Sequence, residues 1–462
     1  MIAMVATASN GHRACDRLET NDLCLLDTLG PLSSMHAALD AAGVGMPCGI
    51  IARFEGHGIA EVEAAIRRAS LDYPLLCRHL AWRDGRVWSV GDASLSPRPA
   101  CDAGFSLVFK VGPEGRPWSY ALETVGEDVL FKAVFAHAIA DGYSMLHFVG
   151  NLARYLKGSS HEPAQPTPRQ ASMPRSFHSW LPGFLALQFR GFSTSAIEAH
   201  GPGITGTTIP LPEAARLLNA ARVEGGGFGS LLAAAASLAI ARTSPDPFAS
   251  PVLLNLQVLR SRLEALNGFG FGAGSIMMPV RVTETDDPYA MARTISARAR
   301  RLADEDWDGN LNRLIGRDPR RHHAMAWLKR RETCDPALTV SWKSRPASLG
   351  GHSGVRDVAC FAASRGTHVS AHLDDDGLSI SLTSRLSETA RANALTALLR
   401  SLHVQAEVRC LHAGEPLDDA AGMAGTPLPK ARTLRPWGAR QAQDAQVGAA
   451  QAGGLPLSSG SA

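Results

Sequence analysis

Several features are missing from this sequence, and each absence removes a class of function. The longest apolar stretch, Leu231 to Ala241, is about half of the roughly 20 residues a helical membrane span needs, so no transmembrane segment is expected. No block of Lys or Arg stands out. The 46 basic residues nearly balance the 43 acidic ones for a net charge of +3, which leaves no electrostatic footprint for nucleic acid. The opening MIAMVATASNGHRA lacks a basic start followed by an apolar stretch, so no signal peptide is expected. Eight cysteines (Cys15, Cys24, Cys48, Cys77, Cys101, Cys334, Cys360 and Cys410) are scattered without a CxxC pair. A disulfide framework or a zinc site would need closer, patterned spacing, so reduced thiols in a cytoplasmic protein are expected. Aromatics are sparse at 6%, which points to a core of small and aliphatic side chains.

What remains is a globular composition, 45% hydrophobic and 19% charged, on a chain of 462 residues. That length exceeds one ordinary core, so two domains are expected. Cys48 to Phe54 reads as a buried strand, and Gly58 to Leu71 as a helix with Ile59, Val62, Ile66 and Ala69 at helical spacing. Further strands are predicted near Arg86 to Trp88, over Phe105 to Val111 and over Val129 to Ala136. The Pro- and Ser-rich segment Gly158 to Arg175 reads as a linker, and Ser176 to Phe192 as an apolar helix.

The second half opens with a β-like run, Thr205 to Leu211, and two helices, Pro212 to Ala221 and Ser230 to Ala241. Strands are predicted over Pro251 to Val258, Ser275 to Val282, Ala337 to Trp342, His368 to Leu373 and Leu378 to Thr383. Helices are predicted over Pro288 to Arg301, His322 to Lys329, and Ser387 to Leu402 with Ser387 as N-cap. The expected class is α/β, with layered mixed sheets. The expected divisions are 1–160, a connecting segment 161–204, 205–414, and a tail 415–462 without periodicity that is expected to be disordered.

The stretch Phe131 to Tyr155, FKAVFAHAIADGYSMLHFVGNLARY, concentrates the chemistry. Val129, Phe131, Ala133 and Phe135 alternate on one strand face, and His137 shares their parity, so its imidazole is expected to face the interior. Asp141 and Gly142 follow at the turn, and Met145, Leu146, Val149, Leu152 and Leu156 make one apolar helix face. A neutral imidazole at a dry strand end can take a proton from a hydroxyl or amine near neutral pH. The plain alternative is a hydrogen-bonded core histidine. Gly142 is expected to permit a tight turn.

HAIADG resembles the HxxxDG signature of the thioester-dependent acyltransferase superfamily with the chloramphenicol acetyltransferase fold, which includes peptide-synthetase condensation domains, polyketide-associated and alcohol acyltransferases and BAHD enzymes. The apolar strand before it and the helix after it are similar too. So are FEGHGIAEVEAAIRRASLDYPLLCRHL, the helix pair beginning TIPLPEAARLL, the run LNLQVLRSRLEALNGFGFGAGSIMMPVRV, and LTVSWKSRP, which resembles a short Ser-Trp strand motif of BAHD enzymes. The resemblance spans about residues 15 to 405. It implies two acetyltransferase-like domains with a tunnel between them, His137 as general base, and Asp141 in a structural pairing with an arginine, for which Arg281 and Arg78 are candidates. It also implies Ser341 as a donor to the tetrahedral oxyanion.

The co-substrate would be an acyl-CoA or acyl-carrier-protein thioester and the acceptor a small-molecule alcohol, in a monomer with no bound cofactor or metal. Amide formation by a free-standing condensation-type enzyme, or a non-catalytic binding module, is the alternative. Three departures bear on the subfamily. Ala136 stands where many relatives have a second histidine, no DFGWG follows Ser341-Trp342, and Cys77 stands where condensation domains place arginine. Of the competing sites, His322-His323 lacks an aspartate at the needed offset. GFGFGAG at 268–274 lacks the Lys-Ser/Thr of a phosphate loop, and Asp374-Asp375-Asp376-Gly377 reads as a tight turn.

Overall fold

Alternation and helical spacing build the elements that the chain shows. In chain order the strands are β1 (Leu23–Leu25), β2 (Cys48–Phe54), β3 (His79–Arg83), β4 (Arg86–Val90), β5 (Trp118–Val125), β6 (Asp128–Phe135), β7 (Gly203–Pro210), β8 (Val252–Leu259), β9 (Ala273–Val280), β10 (Leu338–Lys343), β11 (Val355–Ala362), β12 (Thr367–Leu373), β13 (Gly377–Ser384) and β14 (Arg409–His412). The helices are α1 (Ile59–Leu71), α2 (Gly142–Leu156), α3 (Leu211–Val223), α4 (Phe228–Thr243), α5 (Pro288–Asp304) and α6 (Glu388–Ser401). The computed structural model describes residues 23–25, 36, 39, 47–73, 76, 79–83, 86–90, 118–159, 202–243, 248, 251–259, 273–304, 338–343, 354–362, 366–374 and 376–413. All of them belong to one unit, Met1–Pro416; Leu417–Ala462 form a second unit outside the described residues.

An antiparallel four-stranded sheet runs in the order β11-β2-β6-β5. On one face Ile50, Ala52 and Phe54 stand beside Ala133, Phe131 and Val129, and this face packs under α1 and α2. The stacked rings of Trp118 and Phe135, with centroids 5.4 Å apart, close the end of that core nearest the His137 turn. The opposite face carries Ile51, Val134, Ala359 and Phe361, which meet Ile204 of β7. A sheet covered on both faces explains why β6 is buried at consecutive positions from Phe131 onward.

The seven-stranded sheet has the order β14-β7-β13-β12-β10-β8-β9, with β10 parallel to both β8 and β12 and the other pairs antiparallel. Its apolar face, including Leu254, Val340, Val369, Ala371, Ile380 and Leu382, packs on the helices of the second half. Helix α4 is buried without interruption from Leu231 to Ala241, so the longest apolar stretch of the sequence is a core helix. No single helix among the described residues is long and apolar enough to cross a membrane. The opposite sheet face is polar and nonetheless buried: Thr339, Ser341 and Lys343 of β10 lie in register with His368, Ser370 and His372 of β12. It meets β11, to which Ser381 Oγ donates at the Cys360 carbonyl over 2.8 Å.

The layered α/β class expected from the sequence is what the structure has, and most expected strands fall within a residue or two of the observed ones. Strand pairing crosses the division expected near residue 205, because β11 completes the first half's sheet beside β2. Five strands, β1, β3, β5, β11 and β14, were not anticipated. The expected strand at 105–111, most of the linker, and the helices at 176–192 and 322–329 lie outside the described residues.

Gly49 lies on the middle strand β2 between Val134 and Phe361. A Cβ there would stand 2.1 Å from the Phe361 ring and 2.4 Å from the Ala133 carbonyl oxygen, which is backbone and cannot swing away. Gly49→Ala is expected to cost about 2–3 kcal/mol by forced repacking, read as a lower denaturant midpoint at unchanged slope.

Candidate active site

The strand-to-helix junction after β6 is held by its own backbone. The Ile139 N–H donates to the Ala136 carbonyl at 3.0 Å, and Asp141 then caps α2. Its Oδ1 accepts from the Tyr143 N–H (3.1 Å), the Ser144 N–H (2.9 Å) and the Ser144 hydroxyl (3.0 Å). Three donors on one carboxylate oxygen satisfy the open end of the helix and match the sign of its dipole. Within the turn, His137 is buried and its Nδ1 lies 2.8 Å from the Ala140 carbonyl oxygen. A carbonyl can only accept, so in the neutral ring Nδ1 carries the proton and Nε2 is the basic nitrogen.

The charge that Asp141 and this turn face comes from the seven-stranded sheet. Lys343 is 3% exposed, and its ammonium donates to Ser341 Oγ and Ser370 Oγ, each at 2.8 Å. Burial pushes its pKa down, while Cys360, Asp141 and Cys48 act in the opposite sense. The stem of Lys343 crosses the first residue of α2. A Cβ on Gly142 would lie 1.9 Å from Lys343 Cε and 2.7 Å from Nζ. This corrects the role expected of Gly142. Its φ is not among the positive ones, so the turn does not require glycine; the lysine does.

Ser341, the candidate oxyanion donor, lies beside Lys343; its oxygen already accepts from the lysine, so it has one O–H left to give. Arg281 is exposed just beyond β9 while Asp141 is buried, and no ion pair among the described residues joins them. Arg78 lies outside the described residues, as do His322-His323. Asp374 accepts from the Asp376 and Gly377 N–H groups at 3.0 and 2.9 Å, the tight turn expected there. Among the described residues no group of three or more His, Cys, Asp or Glu is placed to hold a metal.

Two imidazoles that sequence reasoning missed complete the site. His36 is buried with its ring centroid 4.5 Å from that of His137, tilted by 51°. No motif in SSMHAAL signals this. His368 of β12 accepts at Nδ1 from the Ala362 N–H at 3.1 Å. Burial first, then the neighbouring charges of Lys343 and His137, push its pKa down to about 3, so it is neutral at physiological pH. Of the two thiols at the site, Cys360 is pushed up to about 11 by burial, and Cys48 donates weakly to the Ala140 carbonyl at 3.4 Å.

A separate charged cavity of about 380 Å³ lies towards the other end of β2 and β11, lined by Arg53, Glu55, Asp357 and Arg409 among others. Arg53 and Arg409 share Asp357 there, at 3.3 and 3.0 Å, and Arg356 pairs with Glu55 at 2.8 Å.

No family model matches the chain, and no curated protein sequence does. Solved structures do share its fold. One is the trichothecene 15-O-acetyltransferase TRI3 from Fusarium sporotrichioides, at TM-score 0.59 and 10% identity over 82% of this chain and 94% of that one. Another is the first condensation domain of the calcium-dependent antibiotic synthetase, at TM-score 0.55 and 15% identity over 84% and 98%. A third is polyketide synthase associated protein 5 from Mycobacterium tuberculosis, at TM-score 0.52 and 15% identity over 80% and 96%. The chain therefore has the fold shared by acetyltransferases and condensation domains, as the resemblance in its sequence implied.

Two outcomes follow from the site's packing. Gly142→Ala is expected to displace Lys343 and break its bonds to Ser341 and Ser370. This should lower stability by about 2–4 kcal/mol, because a buried ammonium loses its partners; chemical denaturation reads the loss. The second concerns acid. Below the ordinary 6.5 of histidine the unfolded chain protonates residue 368 and the folded chain does not until about 3. The folded state should then lose roughly 1.4 kcal/mol per pH unit from this group as pH falls through that window. Measured from pH 6.5 to 4.5, the stability of His368→Phe should fall less steeply than that of the wild type.

Proposed function

We propose that the protein is an acyltransferase that moves an acyl group from a CoA or carrier-protein thioester to the hydroxyl of a small acceptor, with His137 as general base. The observation that carries this reading is the 2.8 Å bond between His137 Nδ1 and the Ala140 carbonyl, which makes Nε2 the proton acceptor inside a dry site. In the proposed reaction Nε2 removes the acceptor's proton as its oxygen attacks the thioester carbon. The carbonyl becomes a tetrahedral oxyanion, towards which the Ser341 O–H is available to donate. The intermediate collapses with cleavage of the C–S bond, and the thiolate takes the proton from Nε2. Asp141 holds the turn by capping α2, and Gly142 leaves room for Lys343.

The fold supports this reading, since its neighbours include an O-acetyltransferase and a condensation domain. An amine acceptor would use the same steps and give an amide.

Incubation with acetyl-, octanoyl- and palmitoyl-CoA and with an octanoyl-loaded carrier protein, reading free thiol, tests the proposal. His137→Ala should lower thiol release by about 10²–10⁴-fold with the fold retained. Equal turnover by wild type and variant would remove His137 from the chemistry. No thiol from any donor would point to a binding module instead.

A further inference from the structure

His368 raises a question that the base at His137 does not answer. Its Nδ1 is taken by the Ala362 N–H, so the ring's proton sits on Nε2, at the opposite edge. That Nε2 is buried and meets no hydrogen-bond partner among the described residues. A buried donor left unpaired is costly, and native structures rarely keep one without use. Here the donor is not isolated at random. It lies on the polar face shared by Ser341, Lys343 and Ser370. Its anchor, Ala362, is paired with Cys48, and Cys48 in turn with Phe135, two residues before His137. The ring is also close enough for the charges of His137 and Lys343 to act on its protonation.

We propose that His368 is a second donor in the site: its Nε2–H hydrogen-bonds the carbonyl oxygen of the acyl thioester and strengthens that bond as the oxyanion forms. No proton leaves His368 in this role. The base at His137 gives and takes the proton, and His368 acts through a fixed dipole, with the Ser341 hydroxyl as the companion donor. Such a donor works best when it is neutral, held in one tautomer and kept from water, because it then needs no reorganisation when charge appears. Each condition is met here by a backbone bond and by burial.

The inference rests on the acyl-transfer reading, and the experiment separates the two. Ring ¹⁵N NMR on ¹⁵N-histidine-labelled full-length protein, assigned with His368→Gln, should show residue 368 as the neutral Nε2–H tautomer from pH 5 to 8. An Nδ1–H tautomer or an imidazolium in that range would overturn the proposal.

In the thiol-release assay with the best of the four donors, His368→Phe should lower kcat by about 10²-fold while KM moves less than threefold. His368→Gln keeps a side-chain N–H and should recover most of that loss. The pH dependence contributed by His137 should be unchanged in both variants. Full activity in His368→Phe, or equal loss in Phe and Gln variants that tracks lost folded protein, would sink His368 as a donor and leave His137 standing. Activity that survives His137→Ala, or no thiol from any donor, would sink the reading on which both depend.

Discussion

The ammonium of Lys343 is the constraint around which the site is arranged. A cation with 3% exposure loses its hydration, and burying one without partners costs more than most single interactions return. Each neighbour of Lys343 can be understood as a consequence. The facing residues of β10 and β12 are serines, because the ammonium needs acceptors at 2.8 Å on both sides. The first residue of α2 is glycine, because the lysine stem occupies the volume of its Cβ. The residue before it is an aspartate, whose charge offsets part of the burial cost felt by the lysine. The same aspartate closes the helix end, so one carboxylate serves the turn and the field together.

Sheet topology brings these groups into one place. Because β10 runs parallel to β12, residues 339, 341 and 343 stand directly beside 368, 370 and 372, and the polar stripe is continuous across the two strands. A stripe of this kind would ordinarily face water. Here it meets β11, a strand contributed by the second half of the chain to the sheet that carries His137. That exchange presses two sheets together at the end where β6 gives way to the His137 turn. It also removes solvent from groups whose chemistry depends on dryness: the depressed Lys343 and His368 and the raised Cys360 all trace first to burial.

The legible part of this site was its local part. The parity that turns His137 inward and the amphipathic helix after Gly142 are statements about neighbours in sequence, and both are seen in the structure. Alternation along β6 is overridden from Phe131 onward, where both faces are covered, and Asp141 caps α2 where the resemblance implied an arginine partner. Gly142 was visible but its reason was not, because a glycine at a helix start looks like a turn residue until a lysine from another strand is placed over it. His368, Ser370 and His372 alternate in HVSAHL, and polar alternation in a strand normally marks the wet face. Here that face is buried under β11, a strand that sequence periodicity does not reveal. β11 hides in VRDVACFA, where the register shifts between Arg356 and Ala359 and Asp357 takes a positive φ of 52°. A bulge interrupts the period by which a strand is recognised. His36 belongs to the same class: nothing near it in sequence says that its ring will lie 4.5 Å from that of His137.

The two imidazoles anchored by backbone show how one side chain can hold two opposite roles without any difference in its own chemistry. Ala140 offers a carbonyl to Nδ1 of His137, and Ala362 offers an N–H to Nδ1 of His368. The first arrangement leaves a lone pair at Nε2; the second leaves a proton there. In the transfer proposed, a base must accept before it can give, whereas an oxyanion donor must never give its proton away. Backbone partners impose that division more firmly than side-chain partners could, since a peptide group cannot titrate and cannot rotate independently of the strand or turn that contains it. Burial then protects it. With its pKa pushed down to about 3, His368 stays neutral through the ordinary histidine range, which in the proposed transfer leaves the proton traffic to His137.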